Sequence, residues 1–154
     1  MVGVGEKAPN FTLKNTSKEE VSLSDYQGGT VVLAFYPGAF TGVCDKEMCS
    51  LQDNLSELNT AGAKVIGISV DSPWANGEFA RKYDIDFELL SDLDREVIGS
   101  YDTKFVGLGG LEGYVSANRA IVIIDADGFV KYRWVAENPG VEPDYQQIVS
   151  ICCS

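Results

Sequence analysis

The sequence predicts an α/β fold, with an N-terminal β-hairpin leading into a mixed sheet flanked by helices, and three features carry that prediction. Residues 30–36, Thr-Val-Val-Leu-Ala-Phe-Tyr, have the β-branched and aromatic content of a buried strand. A helical pattern follows, and then a second apolar run at residues 64–70, which is the order of a parallel crossover. Near the other end, the apolar runs 120–124 and 129–135 flank Asp125-Ala-Asp-Gly128 and read as two strands joined by a hairpin turn.

Taken in order, residues 1–9 form a short polar lead-in. Residues 10–13 and 21–23 alternate apolar and polar around a polar stretch at 15–20, the pattern of a β-hairpin. Residues 24–29 read as a turn or short helix before the strand at 30–36, which Pro37-Gly38 ends. From Cys44 the apolar positions Met48, Leu51, Leu55 and Leu58 recur at helical spacing, with Gly62 as the stop. Residues 74–83 read as a helix with Trp74, Phe79 and Tyr83 as its apolar contacts, and 93–101 as a shorter one. Gly107-Leu-Gly-Gly-Leu-Glu-Gly113 reads as a mobile loop; its glycine spacing is wrong for a dinucleotide site and no strand feeds it. The turn at 125–128 is not a calcium loop, because the twelfth position counted from Asp125 is Ala136 instead of a bidentate glutamate. The last segment, 143–153, sets Tyr145, Ile148, Val149 and Cys152 on one helical face.

With 154 residues the chain is expected to form one domain, 1–154, that buries roughly two thirds of its unfolded surface. Its composition, 45% apolar and 23% charged, is that of a folded globular chain. No apolar run approaches the ~20 residues of a spanning helix, and no secretory pattern opens the sequence, so a cytoplasmic location is the expectation. A formal charge of −11 argues against nucleic acid and anionic membranes as partners. The absence of histidine removes Ser/His and Cys/His catalytic pairs and every histidine-based metal site.

The expected active site is therefore a cysteine activated by other means. Cys44 falls in the first turn of its helix, where backbone N–H groups without intrahelical partners and the positive end of the dipole favour an anion. A thiol there ionises more easily than a free cysteine, and the thiolate is the nucleophile. The competing reading of Cys44 is a small apolar residue facing inward.

Pro37, Thr41 and Cys44, spaced as Pro-x-x-x-Thr-x-x-Cys, resemble the signature of the peroxiredoxins. Asn118-Arg119 ahead of the run 120–124 matches the arginine that this family carries just before a strand close to the chain's end. Residues 71–92, from Asp71-Ser-Pro to Leu89-Leu-Ser-Asp92, are similar to its middle segment, so the resemblance covers nearly the whole chain. It implies a thioredoxin-like fold and a thiol-dependent peroxidase that reduces hydrogen peroxide and organic hydroperoxides. A thioredoxin-like or small-thiol donor would recycle the enzyme, which needs no metal, flavin or haem and assembles as a homodimer or larger ring.

In that chemistry the thiolate attacks one peroxide oxygen and negative charge develops on both as the O–O bond stretches. The Thr41 hydroxyl, the Arg119 guanidinium and backbone N–H groups near Val43 and Cys44 are the expected donors to that charge. Arg119 would also lower the thiol pKa, Pro37 would shield the thiolate, and the product on Cys44 is a sulfenic acid. More ordinary roles are a helix N-cap for Thr41, a surface salt bridge for Arg119, and favourable dipole placement for Glu47, which matches a polar position found in many family members.

Cys49 shares a helix side with Asp45, Gln52, Asp53 and Ser56, away from the apolar stripe. The Cys44-x-x-x-x-Cys49 spacing is similar to the bacterioferritin-comigratory, or Q-type, peroxiredoxins, and this implies that Cys49 resolves the sulfenic acid as a disulfide. Five residues along an intact helix separate two Cα atoms by roughly 9 Å, beyond the ~7 Å that a disulfide spans, so the first turns would have to unwind. Residues 38–43 look closer to one-cysteine alkyl-hydroperoxidase relatives, which leaves Cys152, Cys153 or an external thiol as alternative resolving partners. A protein disulfide oxidoreductase would need Cys-x-x-Cys, which is absent. The four cysteines are poorly spaced for a closed zinc site, and a non-catalytic peroxide-sensing switch remains the alternative outside enzymology.

Overall fold

The computed structural model describes residues 2–153, apart from the side chains of Val43 and Cys44. Among the described residues the chain runs β1 (Thr12–Lys14), β2 (Glu20–Ser22), a 3-10 turn at Leu23–Tyr26, β3 (Thr30–Phe35), α1 (Val43–Asp53), α2 (Leu55–Thr60) and β4 (Ala63–Ser69). It continues through α3 (Pro73–Tyr83), β5 (Glu88–Ser91), α4 (Glu96–Ser100), β6 (Lys104–Val106), β7 (Val115–Ala117), β8 (Ala120–Ile124), β9 (Val130–Val135) and α5 (Tyr145–Cys153). Seven strands form one sheet in the order β2-β1-β5-β4-β3-β8-β9, and β6 and β7 pair separately. β3, β4 and β5 are parallel, and the other pairings are antiparallel. The expected central mixed sheet, its flanking helices and the N-terminal hairpin are all present.

β3 is central because both of its faces are apolar. Val31, Leu33 and Phe35 point into one core with Ile66, Ile68, Leu90, Val97, Ile98 and Tyr101. Val32, Ala34 and Tyr36 point into the other, against Met48 and Leu51 of α1, Leu58 of α2, Phe79 of α3 and Ile148 and Val149 of α5. A strand buried on both faces reads as a continuous apolar run, which is how residues 30–36 look in the sequence. Each fully buried aliphatic side chain contributes about 1.5–3 kcal/mol.

Several elements differ from the sequence reading. The helix from Cys44 is broken at Asn54, whose side-chain amide donates to the Ser50 carbonyl at 2.8 Å, so α1 and α2 are separate. Asparagine bonding to nearby backbone in this way competes with helix continuation. Gly62, expected as the stop, follows α2 at φ 81. Trp74 is 72% exposed instead of packed, with the Lys18 ammonium 5.7 Å from its ring centroid; Phe79 takes the buried position. The strands β5, β6 and β7 are additions, and the loop expected at 107–113 contains a 3-10 turn at Leu108–Gly110 that joins β6 to β7. The turn at 125–128 is a hairpin turn, with Asp125 Oδ1 accepting from the N–H groups of Asp127 and Phe129 at 3.0 and 2.9 Å. No helix among the described residues is long and apolar enough to cross a membrane.

Candidate active site

The parallel pairing of β3 with β4 puts the loop after Phe35 beside the loop after Ser69. Asp71 ties the two together: its Oδ2 accepts the Ala39 N–H at 2.8 Å and the Ser69 hydroxyl at 2.9 Å. Beneath lies a buried polar group in which the Tyr36 hydroxyl donates to Asn76 Oδ1 at 2.6 Å. The loop thus rests on satisfied polar contacts, which fix its backbone more narrowly than apolar packing would. Phe40 takes a left-handed conformation, φ 63, and its ring meets Phe79 edge-on with centroids 5.4 Å apart.

Thr41 is not the helix N-cap. That position is Gly42, at φ 81 and ψ −81, a conformation that only glycine adopts without strain, and no side chain caps the helix there. The Thr41 hydroxyl instead donates to the Gly38 carbonyl at 2.7 Å, closing the loop on itself. α1 begins at Val43, so Cys44 is its second residue, in the first turn. The side chains of Cys44 and Val43, both expected in the site, lie outside the described residues.

Arg119 arrives from the opposite direction. β8 is antiparallel to β3 with Ala120 across from Phe35, so the residue before β8 lies next to the start of the loop at Pro37. Its side chain is 1% exposed, which removes the surface salt-bridge reading. Nε and Nη2 donate to the Pro139 carbonyl at 3.0 and 2.7 Å, and Nη1 donates to Glu47 Oε1 at 2.6 Å. Glu47 is fully buried, so dipole placement does not account for it. Burial pushes its carboxyl up to about 8, against the downward pull of the Arg119 guanidinium. Among the described residues its Oε2 has no hydrogen-bond partner.

Pro37, Thr41 and Arg119 line one pocket of about 190 Å³ together with Leu108, Pro139 and Gly140. These last three were not legible as site residues. Pro139 acts through its backbone carbonyl, which leaves no side-chain signal, while the glycine-rich composition around Leu108 and the Pro139-Gly140 turn pair mark the two loops only as loops. The segment bearing Pro139 is held down further by an ion pair of Glu142 with Lys46 of α1 at 3.5 Å and by the Tyr145 hydroxyl, which donates to Glu142 at 2.6 Å.

The other cysteines are free thiols. Cys49 lies on the side of α1 that the sequence indicated but is half-buried, and burial, then Asp53 and Asp45, raise its pKa. Cys152 is buried and Cys153 exposed, and both line a separate cleft against Ser56, Glu57, Thr60 and Ala61 of and just beyond α2. Burial raises the Cys152 thiol as well.

The sequence pattern of the AhpC/TSA family matches residues 4–133. The chain belongs to that family, the peroxiredoxins. It is 39% identical to the peroxiredoxin Bcp of Escherichia coli K12 over 132 residues, 83% of this chain and 82% of that protein. The crystal structure of the peroxidoxin BcpB from Mycobacterium tuberculosis superposes with a TM-score of 0.86 at 28% identity, covering 99% of this chain and 97% of that one. A peroxiredoxin-like protein from Aquifex aeolicus gives a TM-score of 0.86 at 25% identity over 98% and 86% of the two chains. The architecture is accordingly the thioredoxin-like fold of the peroxiredoxins, and the activity is that of a thiol-dependent peroxidase, an oxidoreductase with a peroxide substrate and a thiol reductant.

Proposed function

We propose that this one-domain peroxiredoxin reduces hydrogen peroxide and organic hydroperoxides at Cys44, that Cys49 resolves the oxidised cysteine, and that a cytosolic thioredoxin-like donor reduces the resulting disulfide. The observation that carries the proposal is the convergence of Pro37, Thr41 and Arg119 on one pocket at the entrance to α1. The Cys44 thiolate attacks one oxygen of the peroxide; an S–O bond forms as the O–O bond breaks, and the departing alkoxide or hydroxide takes a proton to leave as alcohol or water. Arg119 supplies positive charge to both the thiolate and the developing oxyanion. Thr41, its proton committed to Gly38, offers oxygen lone pairs to the peroxide O–H, a different part from the donor role that the sequence suggests. Pro37 covers the site with apolar carbon and has no N–H to satisfy.

Resolution forms a Cys44–Cys49 disulfide and releases the sulfenic oxygen as water. α1 is continuous across both residues, so the helix must open before the sulfurs can meet. Opening also frees Cys49 from the burial and from the Asp45 and Asp53 charges that raise its pKa, so one motion shortens the distance and releases the attacking thiolate. The raised pKa values of Cys49 and Cys152 favour Cys44 over either as the group that meets peroxide first.

Steady-state peroxide consumption by Cys44→Ser and Cys49→Ser tests the assignment. Cys44→Ser has no activity with any reductant. Cys49→Ser consumes one equivalent and then stalls with thioredoxin, while dithiothreitol sustains it. Undiminished thioredoxin-dependent turnover by Cys49→Ser would establish the one-cysteine mechanism or a role for Cys152 or Cys153.

A further inference from the structure

The pocket beside Arg119 is much larger than hydrogen peroxide needs. At about 190 Å³ it could hold roughly six waters at their ~30 Å³ share of liquid volume, whereas the peroxide has two heavy atoms. Its polar groups are Arg119 and Thr41, and the rest of its described lining, Pro37, Leu108, Pro139 and Gly140, has no polar side chain. An apolar chamber leading to one cation suits a substrate whose reacting end is polar and whose remainder is hydrocarbon.

The two walls are held differently. The Pro139–Gly140 wall is fixed by Arg119, by the Gly140 N–H donating to Asn138 Oδ1 at 2.9 Å, and by the Glu142–Lys46 pair. The opposite wall is Leu108, half-buried, between Gly107 at φ 89 and Gly109 at φ 65. The 3-10 turn that carries it is held by backbone bonds within its own loop: Gly110 N–H to the Gly107 carbonyl at 3.0 Å, Leu111 N–H to the Leu108 carbonyl at 3.1 Å, Gly107 N–H to the Tyr114 carbonyl at 2.9 Å and Tyr114 N–H to the Leu111 carbonyl at 3.1 Å. The glycines on both sides let the chain turn next to Leu108 without a Cβ penalty.

We propose that Leu108 determines peroxide specificity, packing against the hydrocarbon part of an uncharged alkyl or aralkyl hydroperoxide while Arg119 and Thr41 hold the O–O group. The inference rests on the reading of Cys44 as the peroxide-reacting residue. The chemistry at sulfur is unchanged: the S–O bond forms, the O–O bond breaks, and the substituent leaves as its alcohol. Leu108 touches the substituent and takes no part in proton or electron transfer.

The test compares kcat/KM for cumene hydroperoxide and hydrogen peroxide in the wild type and in Leu108→Ser, Leu108→Ala, Leu108→Met and Leu111→Ser. Loss of the Leu108 side chain lowers the cumene-to-hydrogen-peroxide ratio about tenfold, the low end of what one or more methylenes contribute to discrimination in an apolar pocket. Leu108→Met, which conserves volume, keeps the ratio within about threefold. Leu111, 60% exposed on the same loop and outside the pocket lining, leaves the ratio unchanged when replaced. An unchanged ratio in both Leu108→Ser and Leu108→Ala, or an equal fall for the two peroxides, would overturn the proposal and leave Leu108 a structural residue. A wild type inactive toward both peroxides would overturn the Cys44 reading itself, and this inference with it.

Discussion

Replacing Glu47 separates the hydrogen bond it accepts from Arg119 from the charge it would carry. The carboxyl is fully buried, 2.6 Å from a guanidinium that is itself 1% exposed. Glu47→Ala removes the acceptor and leaves Arg119 Nη1 without it in a dry setting. At pH 5, where the buried carboxyl is neutral, the expected loss is about 3 kcal/mol, the lower end for breaking a buried charged contact. In a chain of this size that is a fall in Tm of about 6–12 °C. Glu47→Gln keeps an oxygen acceptor of the same reach and should cost about 1 kcal/mol or less at pH 5. The pH dependence follows from the pKa raised from 4.5 to about 8. Between those values the folded state holds a proton that the unfolded state has lost, so this contribution is fully present below pH 4.5 and disappears as pH rises through about 8. Wild-type stability therefore declines by up to about 1.4 kcal/mol per pH unit over that window from this group alone, and Glu47→Gln, which lacks that component, gains on the wild type as pH rises. Thermal melts of all three proteins from pH 5 to 9, followed by circular dichroism, measure the differences. Glu47→Gln as destabilised at pH 5 as Glu47→Ala, or a Tm gap between wild type and Glu47→Gln that does not move with pH, would refute a raised pKa and make the contact an ionised pair.

Three other expectations concern the frame around the site. A Cβ on Gly67 of β4 would lie 2.6 Å from Leu89 Cδ2 and 3.2 Å from Tyr36 Cε1, so Gly67→Ala should cost about 1–3 kcal/mol and lower Tm by several degrees. Asp71→Ala takes the acceptor from Ala39 N–H and the Ser69 hydroxyl; a loss of about 1–2 kcal/mol and a several-fold fall in kcat/KM should follow, with Asp71→Asn close to wild type, as steady-state kinetics and melts would record. Hydrogen exchange of residues 44–50 should be protected in the reduced protein and lose protection after oxidation. Protection unchanged by peroxide would count against Cys49 as the resolving residue.

Legibility in the sequence followed how much of an element's role is carried by its own side chains. β3 and β8 were legible because strands buried on both faces are uninterrupted apolar runs, and α5 because Ile148, Val149 and Cys152 repeat at helical spacing. β5 has four residues and β6 and β7 three each, too short for any period to register. The break falls at Asn54, whose side chain bonds back to the Ser50 carbonyl, and apolar spacing runs straight across it. Trp74 shows the limit of hydrophobicity as a guide, since its position on α3 leaves it in solvent beside Lys18. Pro37, Thr41 and Arg119, expected in the site from their resemblance to the family signature, line one pocket. The burial of Glu47 was not legible, because an acidic residue near the start of a helix needs no tertiary partner to explain it. The carbonyl that holds Arg119 belongs to Pro139, and its register depends on the path of the chain after β9.

The central claim is that Cys44 meets the peroxide and Cys49 closes on it. The direct measurement is peptide mapping by mass spectrometry under non-reducing conditions, after one equivalent of hydrogen peroxide and rapid alkylation of the remaining thiols. A Cys44–Cys49 disulfide, with Cys152 and Cys153 alkylated, is the predicted result. A sulfenic acid retained on Cys44 with Cys49 alkylated would assign resolution to an external thiol, and an unmodified Cys44 would contradict the account at its first step.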